Sequence, residues 1–184
     1  VLAGNSLLTL AFEILSDPSF KINEKTKVKL IEKLSKFAGH EGIAGGQFLD
    51  LSFEKRKIPK KKIEEMQIKK TGKLFSFCTM VPSIIKNKNT KTIKEFDKIG
   101  SDIGLLFQIK DDLIDYSGSA KKAGKKTKKD LKKGKATLIS LLGYKNTIKY
   151  ASKLKLNIFK KLNNFGKETK ELQKTINYIL ERNK

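Results

Sequence analysis

Residues 107–115 read FQIKDDLID, and three of these nine residues are aspartates: Asp111, Asp112 and Asp115. If the stretch is helical, Gln108 and the three aspartates share one stripe, because residues three and four apart are neighbours on a helix. Carboxylates this close repel each other, at about 1 to 4 kcal/mol a pair depending on how wet the site is. Oxygen ligands at this spacing suit Mg²⁺, which takes one or two carboxylates and leaves positions for phosphate oxygens. The alternative is a solvated acidic turn on an amphipathic helix.

Two upstream segments also carry unusual residues for a helix. Residues 44–47 read AGGQ, and each glycine in an exposed helix costs about 1 kcal/mol relative to alanine. Gly45 and Gly46 therefore predict that a neighbouring backbone or a ligand approaches closely. The alternative is a loop followed by a helix on which Gln47 and Asp50 are solvated. Residues 70–72 read KTG, and a glycine beside a threonine in mid-helix predicts a local break where Lys70 can meet a ligand. A kink with a surface lysine is the alternative for this second segment.

A lysine-rich segment follows the acidic stretch. Residues 121–135 contain nine lysines, and within them lie Gly124-Lys125 and Asp130; residues 134–137 then read GKAT. These segments resemble, in the same order along the chain, the motifs of the trans-isoprenyl diphosphate synthases: GGQ with Asp50, KTG, FQIKDD, GK, D and GKAT. The motifs extend over most of the chain, which is identified as a member of that family.

The resemblance implies an all-α architecture, the isoprenoid synthase fold. We expect six or seven antiparallel helices around a central cavity, with the acidic stripe facing inward. The implied reaction is the Mg²⁺-dependent condensation of isopentenyl diphosphate with an allylic diphosphate, with two to three metal ions around the bound diphosphate. The GGQ motif and compact C-terminal part favour a short product, farnesyl or geranylgeranyl diphosphate. A homodimer in the cytoplasm, or in a plastid if the source is eukaryotic, is expected by the same analogy.

The resemblance also assigns roles to single residues. The implied metal ligands are Asp111, Asp112 and Asp115. The implied catalytic residues are Lys70, Asp111, Asp112 and Lys125. The implied substrate-binding residues are Gln47, Lys70, Thr71, Phe107, Gln108, Lys125 and Lys135.

Two departures from the family pattern stand out. Lys128 occupies the place, two residues before Asp130, where the family usually has glycine. The family carries two aspartate-rich motifs, and only the second is found in this chain. We therefore expect residues 1–184 to be a single domain that forms the C-terminal two thirds of a synthase. By itself this part is expected to bind diphosphate and Mg²⁺ weakly and not to turn over.

Composition agrees with a helical globular domain. The chain has 184 residues, 38% of them hydrophobic and 33% charged, with only three prolines. No run of about 18 apolar residues is present, so no membrane span is predicted. The single cysteine, Cys78, excludes an intrachain disulfide, and its apolar surroundings (residues 74–78, LFSFC) predict a place in the core.

The formal charge of +22 raises an alternative function, a basic helical protein that binds nucleic acid. The lysines are spread along the chain and only two arginines occur, Arg56 and Arg182, whereas binders of phosphate backbones usually use arginine. We attribute most of this charge to an AT-biased genome, with the lysine cluster before Gly134 as the exception, and we predict no nucleic-acid partner. Two further alternatives are a non-catalytic regulatory subunit, which has no need of metal ligands, and a terpene cyclase, whose usual second metal motif is absent.

Overall fold

The computed structural model of the chain describes residues 2–123 and 136–182, with backbone only for 119–123, and within these ranges it contains helices and no strand. The α-helices in chain order are α1 (Leu2–Ser16), α2 (Glu24–Ala38), α3 (Ile43–Ser52), α4 (Lys60–Gln67), α5 (Lys73–Ile85), α6 (Thr90–Ala123), α7 (Leu138–Leu142), α8 (Tyr144–Asn163) and α9 (Lys170–Glu181). A π-helical turn, Ile68–Gly72, joins α4 to α5, and a short 3₁₀ helix, Lys167–Thr169, precedes α9. None of the described helices is both long and apolar enough to cross a bilayer.

The 34-residue helix α6 is the centre of the larger core. Its residues Ile99, Leu106 and Ile109 are completely buried, and Ile103 nearly so. This spacing of three to four residues puts one apolar stripe along the helix, and the stripe packs against α4, α8 and α9. A smaller apolar cluster joins α1, α2 and α5. Asp111, Asp112 and Asp115 therefore extend from a helix that is firmly packed in the core.

Helices α5 and α6 pack unusually closely because glycines face each other at their crossing. A Cβ atom on Gly104 of α6 would lie 2.4 Å from the Cα of Gly72, at the end of the π turn. Such a distance is impossible between carbon atoms that are not bonded, so only glycine permits this approach. As a result the π turn lies directly beside the part of α6 that carries Gln108.

Helix boundaries differ from those that the sequence predicts at three places. Asn23 and Thr26 are the predicted caps of α2; Asn23 is the cap, and its side chain accepts from the Lys25 N–H. Gly39 predicts a left-handed end for α2, but its φ is −79°.

The long helix α6 differs at both ends. The sequence predicts an end near Ser117-Gly118, but α6 continues to Ala123. The predicted cap at its start is Thr92, but Asn89 stabilises the start instead, with Oδ1 accepting from the Thr92 N–H at 2.8 Å.

Cys78 is exposed, so the prediction of a core position for it is wrong. The apolar run around it is helical, and the adjacent residue Phe77 is the one that points inward, 8% exposed. In a helix, successive residues point about 100° apart, which a count of apolar neighbours along the sequence does not reveal.

Candidate functional site

Lys70 and Thr71 lie on the π turn, which packs against α3 and α6. The Lys70 ammonium lies 2.6 Å from Oδ2 of Asp50, which comes from α3. Helix α3 can approach because a Cβ on Gly46 would lie 2.2 Å from the Lys70 backbone nitrogen. The predicted close approach at Gly46 and the predicted break at KTG are both confirmed. π turns often occur at functional sites, because the widened turn displaces side chains from the regular helical path.

Hydrogen bonds among four side chains connect α4 and the π turn to α6. Thr71 Oγ1 donates to Gln108 Oε1 at 3.2 Å, and Gln108 Nε2 donates to Asp112 Oδ1 at 3.2 Å. Gln67, the last residue of α4, donates from Nε2 to the other carboxylate oxygen, Oδ2, of Asp112 at 3.1 Å. The connection therefore starts and ends in the segment α4 to π turn, and it passes through Asp112.

Asp111 faces a different environment from Asp112. Its Oδ1 accepts a hydrogen bond from Nη2 of Arg182, and the Arg182 guanidinium lies over the Phe107 ring, 4.0 Å from the centroid. The Phe107 ring in turn contacts the ring of Phe75, with centroids 5.3 Å apart. Arg182 is only 17% exposed, whereas Asp111 is 37% exposed. Among the described residues, the two adjacent aspartates therefore have different hydrogen-bond partners.

Asp115 lies one turn beyond Asp111 on α6 and is exposed. Among the residues that the structure describes, no three histidine, cysteine, aspartate or glutamate side chains are close enough to form a metal cluster. This donor set does not make a cage of protein ligands. It fits Mg²⁺ that is held by one or two carboxylates and completed by water and phosphate oxygens, which is the way this ion usually binds with phosphates.

A small cavity lies between the π turn, α3 and α6, and it has a volume of about 40 Å³. It is lined by Asp50, Met66, Gln67, Lys70, Gln108, Asp112, Ala136 and Thr137. Thr137 belongs to the GKAT motif and caps α7, with Oγ1 accepting from the Ser140 N–H at 3.1 Å. Motifs that are separated by up to 90 residues in the sequence thus meet around one cavity.

The other predicted site residues have different outcomes. Gln47 is exposed on α3, one turn before Asp50. Lys125 and Lys135 lie outside the described residues, as does Asp130. For these lysines the sequence prediction stays a prediction.

Sequence reasoning missed two residues, Gln67 and Arg182. Gln67 is 3% exposed, although glutamine is normally a surface residue. A polar residue three positions before Lys70, in a helix with buried Ile63 and Met66, was the available signal for Gln67. Arg182 is one of only two arginines in a lysine-rich chain, and that rarity was the signal for it.

Helix α4 is itself held by a polar contact with α8. Tyr150 of α8 donates its hydroxyl to Glu64 Oε1 at 2.6 Å, and the Lys60 ammonium lies 3.9 Å from the centre of the Tyr150 ring. Burial, and then the hydrogen bond to Glu64, raise the pKa of Tyr150 well above its usual range. Tyr150 therefore stays protonated and donating at physiological pH, and α4 is fixed one turn before Gln67.

Comparison with known proteins gives the family. The family model for polyprenyl synthetases matches residues 1–179. The chain belongs to the polyprenyl synthetase family. A farnesyl diphosphate synthase of Micrococcus luteus is 35% identical over 184 residues, which is 100% of this chain and 62% of that protein.

Solved structures of the family have the same fold. An FPP/GFPP synthase of Zymomonas mobilis, in its apo structure, superimposes with a TM-score of 0.80 at 35% identity, over 97% of this chain and 60% of that one. A geranyltransferase of Helicobacter pylori, in complex with magnesium and isoprenyl diphosphate, gives a TM-score of 0.76 at 30% identity, over 98% and 58% of the two chains. The predicted all-α isoprenoid synthase fold is thereby confirmed. The chain spans a little over three fifths of the length of its first curated relatives, 62% and 63%.

Proposed function

We propose that the chain is part of a short-chain trans-prenyltransferase and carries the half of its active site that binds the allylic diphosphate and Mg²⁺. The observation that carries this proposal is the meeting of Lys70, Asp112 and Thr137 around one cavity beside Asp111. The similarity to farnesyl diphosphate synthases, and to a geranyltransferase bound to magnesium and isoprenyl diphosphate, supports it. The product that these relatives favour is farnesyl or geranylgeranyl diphosphate.

Lys70 and the aspartates of α6 have different proposed roles in binding the substrate. Lys70 would donate to the diphosphate, and its pairing with Asp50 keeps the ammonium at the π turn when no phosphate is present. The 33% exposure of Lys70 leaves the group accessible to a ligand. Asp111 and Asp115, one turn apart on α6, would hold Mg²⁺, and Asp112 is the third candidate ligand. When bound, magnesium neutralises the diphosphate and makes it a better leaving group.

The reaction then follows from ionisation of the allylic substrate. The allylic C–O bond breaks and the diphosphate leaves with the electron pair. The double bond of isopentenyl diphosphate attacks the allylic cation to form a new C–C bond, and the proton that is lost goes to the departed diphosphate. The contribution of this chain is to hold the leaving group through Lys70 and α6 and to keep water away from the cation. The 184 residues alone are proposed to bind the diphosphate without turning over.

A binding experiment tests the metal and phosphate site without requiring turnover. Calorimetric titration of the chain with inorganic pyrophosphate in Mg²⁺ buffer should show binding that disappears when EDTA is added. Asp111→Ala should weaken it at least tenfold, because a metal ligand is lost. Glu171→Ala is the matched control, since Glu171 lies on α9 with its side chain 81% exposed and pairs only with Lys174 in the described part of the chain.

Two outcomes would contradict the proposal. Equal pyrophosphate affinity for the Asp111→Ala and Glu171→Ala variants would exclude a metal role for Asp111. Salt-sensitive retention on DNA, together with no effect of Mg²⁺ and pyrophosphate on the melting temperature, would support the basic nucleic-acid-binding alternative.

A further inference from the structure

Gln67 is a buried polar residue whose side chain is only half satisfied. It is 3% exposed, and its Nε2 donates to Asp112 Oδ2 at 3.1 Å. Its Oε1 is buried and accepts no hydrogen bond from any described residue. An unsatisfied buried oxygen is unfavourable, so an apolar side chain would fill this space at lower free energy. A role in packing alone does not explain a glutamine here.

The geometry around Asp112 gives Gln67 a second function. Each oxygen of the Asp112 carboxylate accepts one amide N–H, from Gln67 on one side and from Gln108 on the other. Gln108 in turn accepts from Thr71. Gln67 and Thr71 belong to one continuous segment, so the hydrogen bonds close a ring through Asp112 that locks the π turn onto α6.

We propose that Gln67 is a positioning residue that fixes the Asp112 carboxylate and thereby sets the distance between Lys70 and the metal-binding face of α6. This inference rests on the proposed function, because it concerns the same diphosphate site. A neutral amide suits the task, since it donates to the carboxylate without neutralising its charge. Gln67 lines the small cavity together with Lys70.

The first test compares two Gln→Leu variants by pyrophosphate titration in Mg²⁺ buffer. Gln67→Leu should bind about tenfold more weakly than the wild-type chain, equivalent to about 1.4 kcal/mol. Gln173→Leu is the matched control, because Gln173 Nε2 also donates a hydrogen bond, to Asn163 Oδ1 at 2.9 Å on α8, with no connection to the site. It should bind like the wild-type chain. If both variants bind within twofold of wild type while Asp111→Ala does not, the inference is wrong and the proposed function stands. If Asp111→Ala also binds like wild type, both are wrong.

The second test uses the protonation of a carboxyl group and keeps the shape of the side chain. In Gln67→Glu, the new carboxyl can donate to Asp112 only when protonated, and burial beside a carboxylate raises its pKa. Relative to the wild-type chain at the same pH, pyrophosphate binding should therefore be weakened much more at pH 8 than at pH 6. Wild-type affinity of Gln67→Glu at both pH values would overturn the inference.

The third test needs no ligand. If the hydrogen bonds form one ring, either single change already opens it. Removing Gln67 and Thr71 together should therefore lower the free energy of unfolding by less than the sum of the two single changes. Denaturant unfolding of Gln67→Leu, Thr71→Val and the double variant measures this. Strictly additive changes in the free energy of unfolding would overturn the inference. This holds even if Gln67→Leu failed to bind pyrophosphate only because its fold was disturbed.

Discussion

Cys78 combines an exposed position with a thiol that ionises poorly. Partial burial raises the pKa of the Cys78 thiol, so less thiolate is present at pH 7.5 than in an unstructured peptide. We expect iodoacetamide to modify Cys78 completely in the folded chain, but several-fold more slowly than a cysteine in a short peptide. The rate should rise steadily between pH 7.5 and 9.5. A thiol that resists modification until denaturant is added would contradict the exposed position, and a rate equal to that of the peptide would contradict the raised pKa.

Residues that act through distant contacts were the hardest to predict from the sequence. Asp111 and Asp112 could be found because repelling carboxylates at close spacing need an explanation. Their partners could not, since Gln67 is 45 and Arg182 is 71 positions away, and no local pattern marks such a pair. These two partners distinguish the environments of the adjacent aspartates.

At the scale of helices, the crossing of α5 and α6 should depend on glycine. Gly104→Ala puts a methyl group where the Gly72 Cα lies, and relief requires the helices to separate, at about 1 to 3 kcal/mol. In a chain of this length the melting temperature should fall by roughly 2 to 4 °C for each kcal/mol. Binding of pyrophosphate with Mg²⁺ should weaken as well, because the π turn moves away from Gln108.

The control for this variant lies on the same helix. A Cβ on Gly118 would meet nothing within 4 Å, and alanine is the better helix former by about 1 kcal/mol. Gly118→Ala should therefore leave the melting temperature unchanged or raise it. Equal destabilisation by the two variants would show that helix propensity, and not the helix crossing, decides the outcome.

Local sequence signals predicted where a helix is interrupted, but they did not predict every residue at which a helix ends. The KTG triplet predicted a break, and the structure has a π turn there. Asn23 was predicted as a cap and is one. The end of α6 was missed because Ser117 and Gly118 look like a stop, yet Ser117 Oγ donates to the Leu113 carbonyl and the helix continues.

For the whole molecule, the net charge of +22 should make stability depend on ionic strength. Repulsion among so many lysines weakens the compact state, and the screening length shrinks from about 30 Å at 10 mM salt to about 8 Å at 150 mM. The individual surface ion pairs that salt also weakens contribute only up to about 1 kcal/mol each. We expect the melting temperature to rise by several degrees between 10 and 200 mM NaCl. Choline chloride should give the same rise, and a fall with either salt would contradict this prediction.

The resemblance of the ordered motifs to those of a known family was enough to predict the architecture and the membership of the family. Composition agreed with an all-helical class. The size and shape of the site did not follow, since they depend on how closely α3, the π turn and α6 pack. That closeness is set by Gly46, Gly72 and Gly104, and a sequence shows that a glycine is present but not which backbone it faces.

The contact between Arg182 and Asp111 has a practical consequence for protein production. A foreign peptide fused directly after Arg182 would start close to the Asp111 carboxylate on α6. A polyhistidine tag at that position would bring imidazoles next to Asp111 and hold contaminating transition metals there, since imidazole binds Zn²⁺ or Ni²⁺ far better than Mg²⁺. Purification handles for binding measurements should therefore be placed at the other end of the chain or removed by a protease before titration.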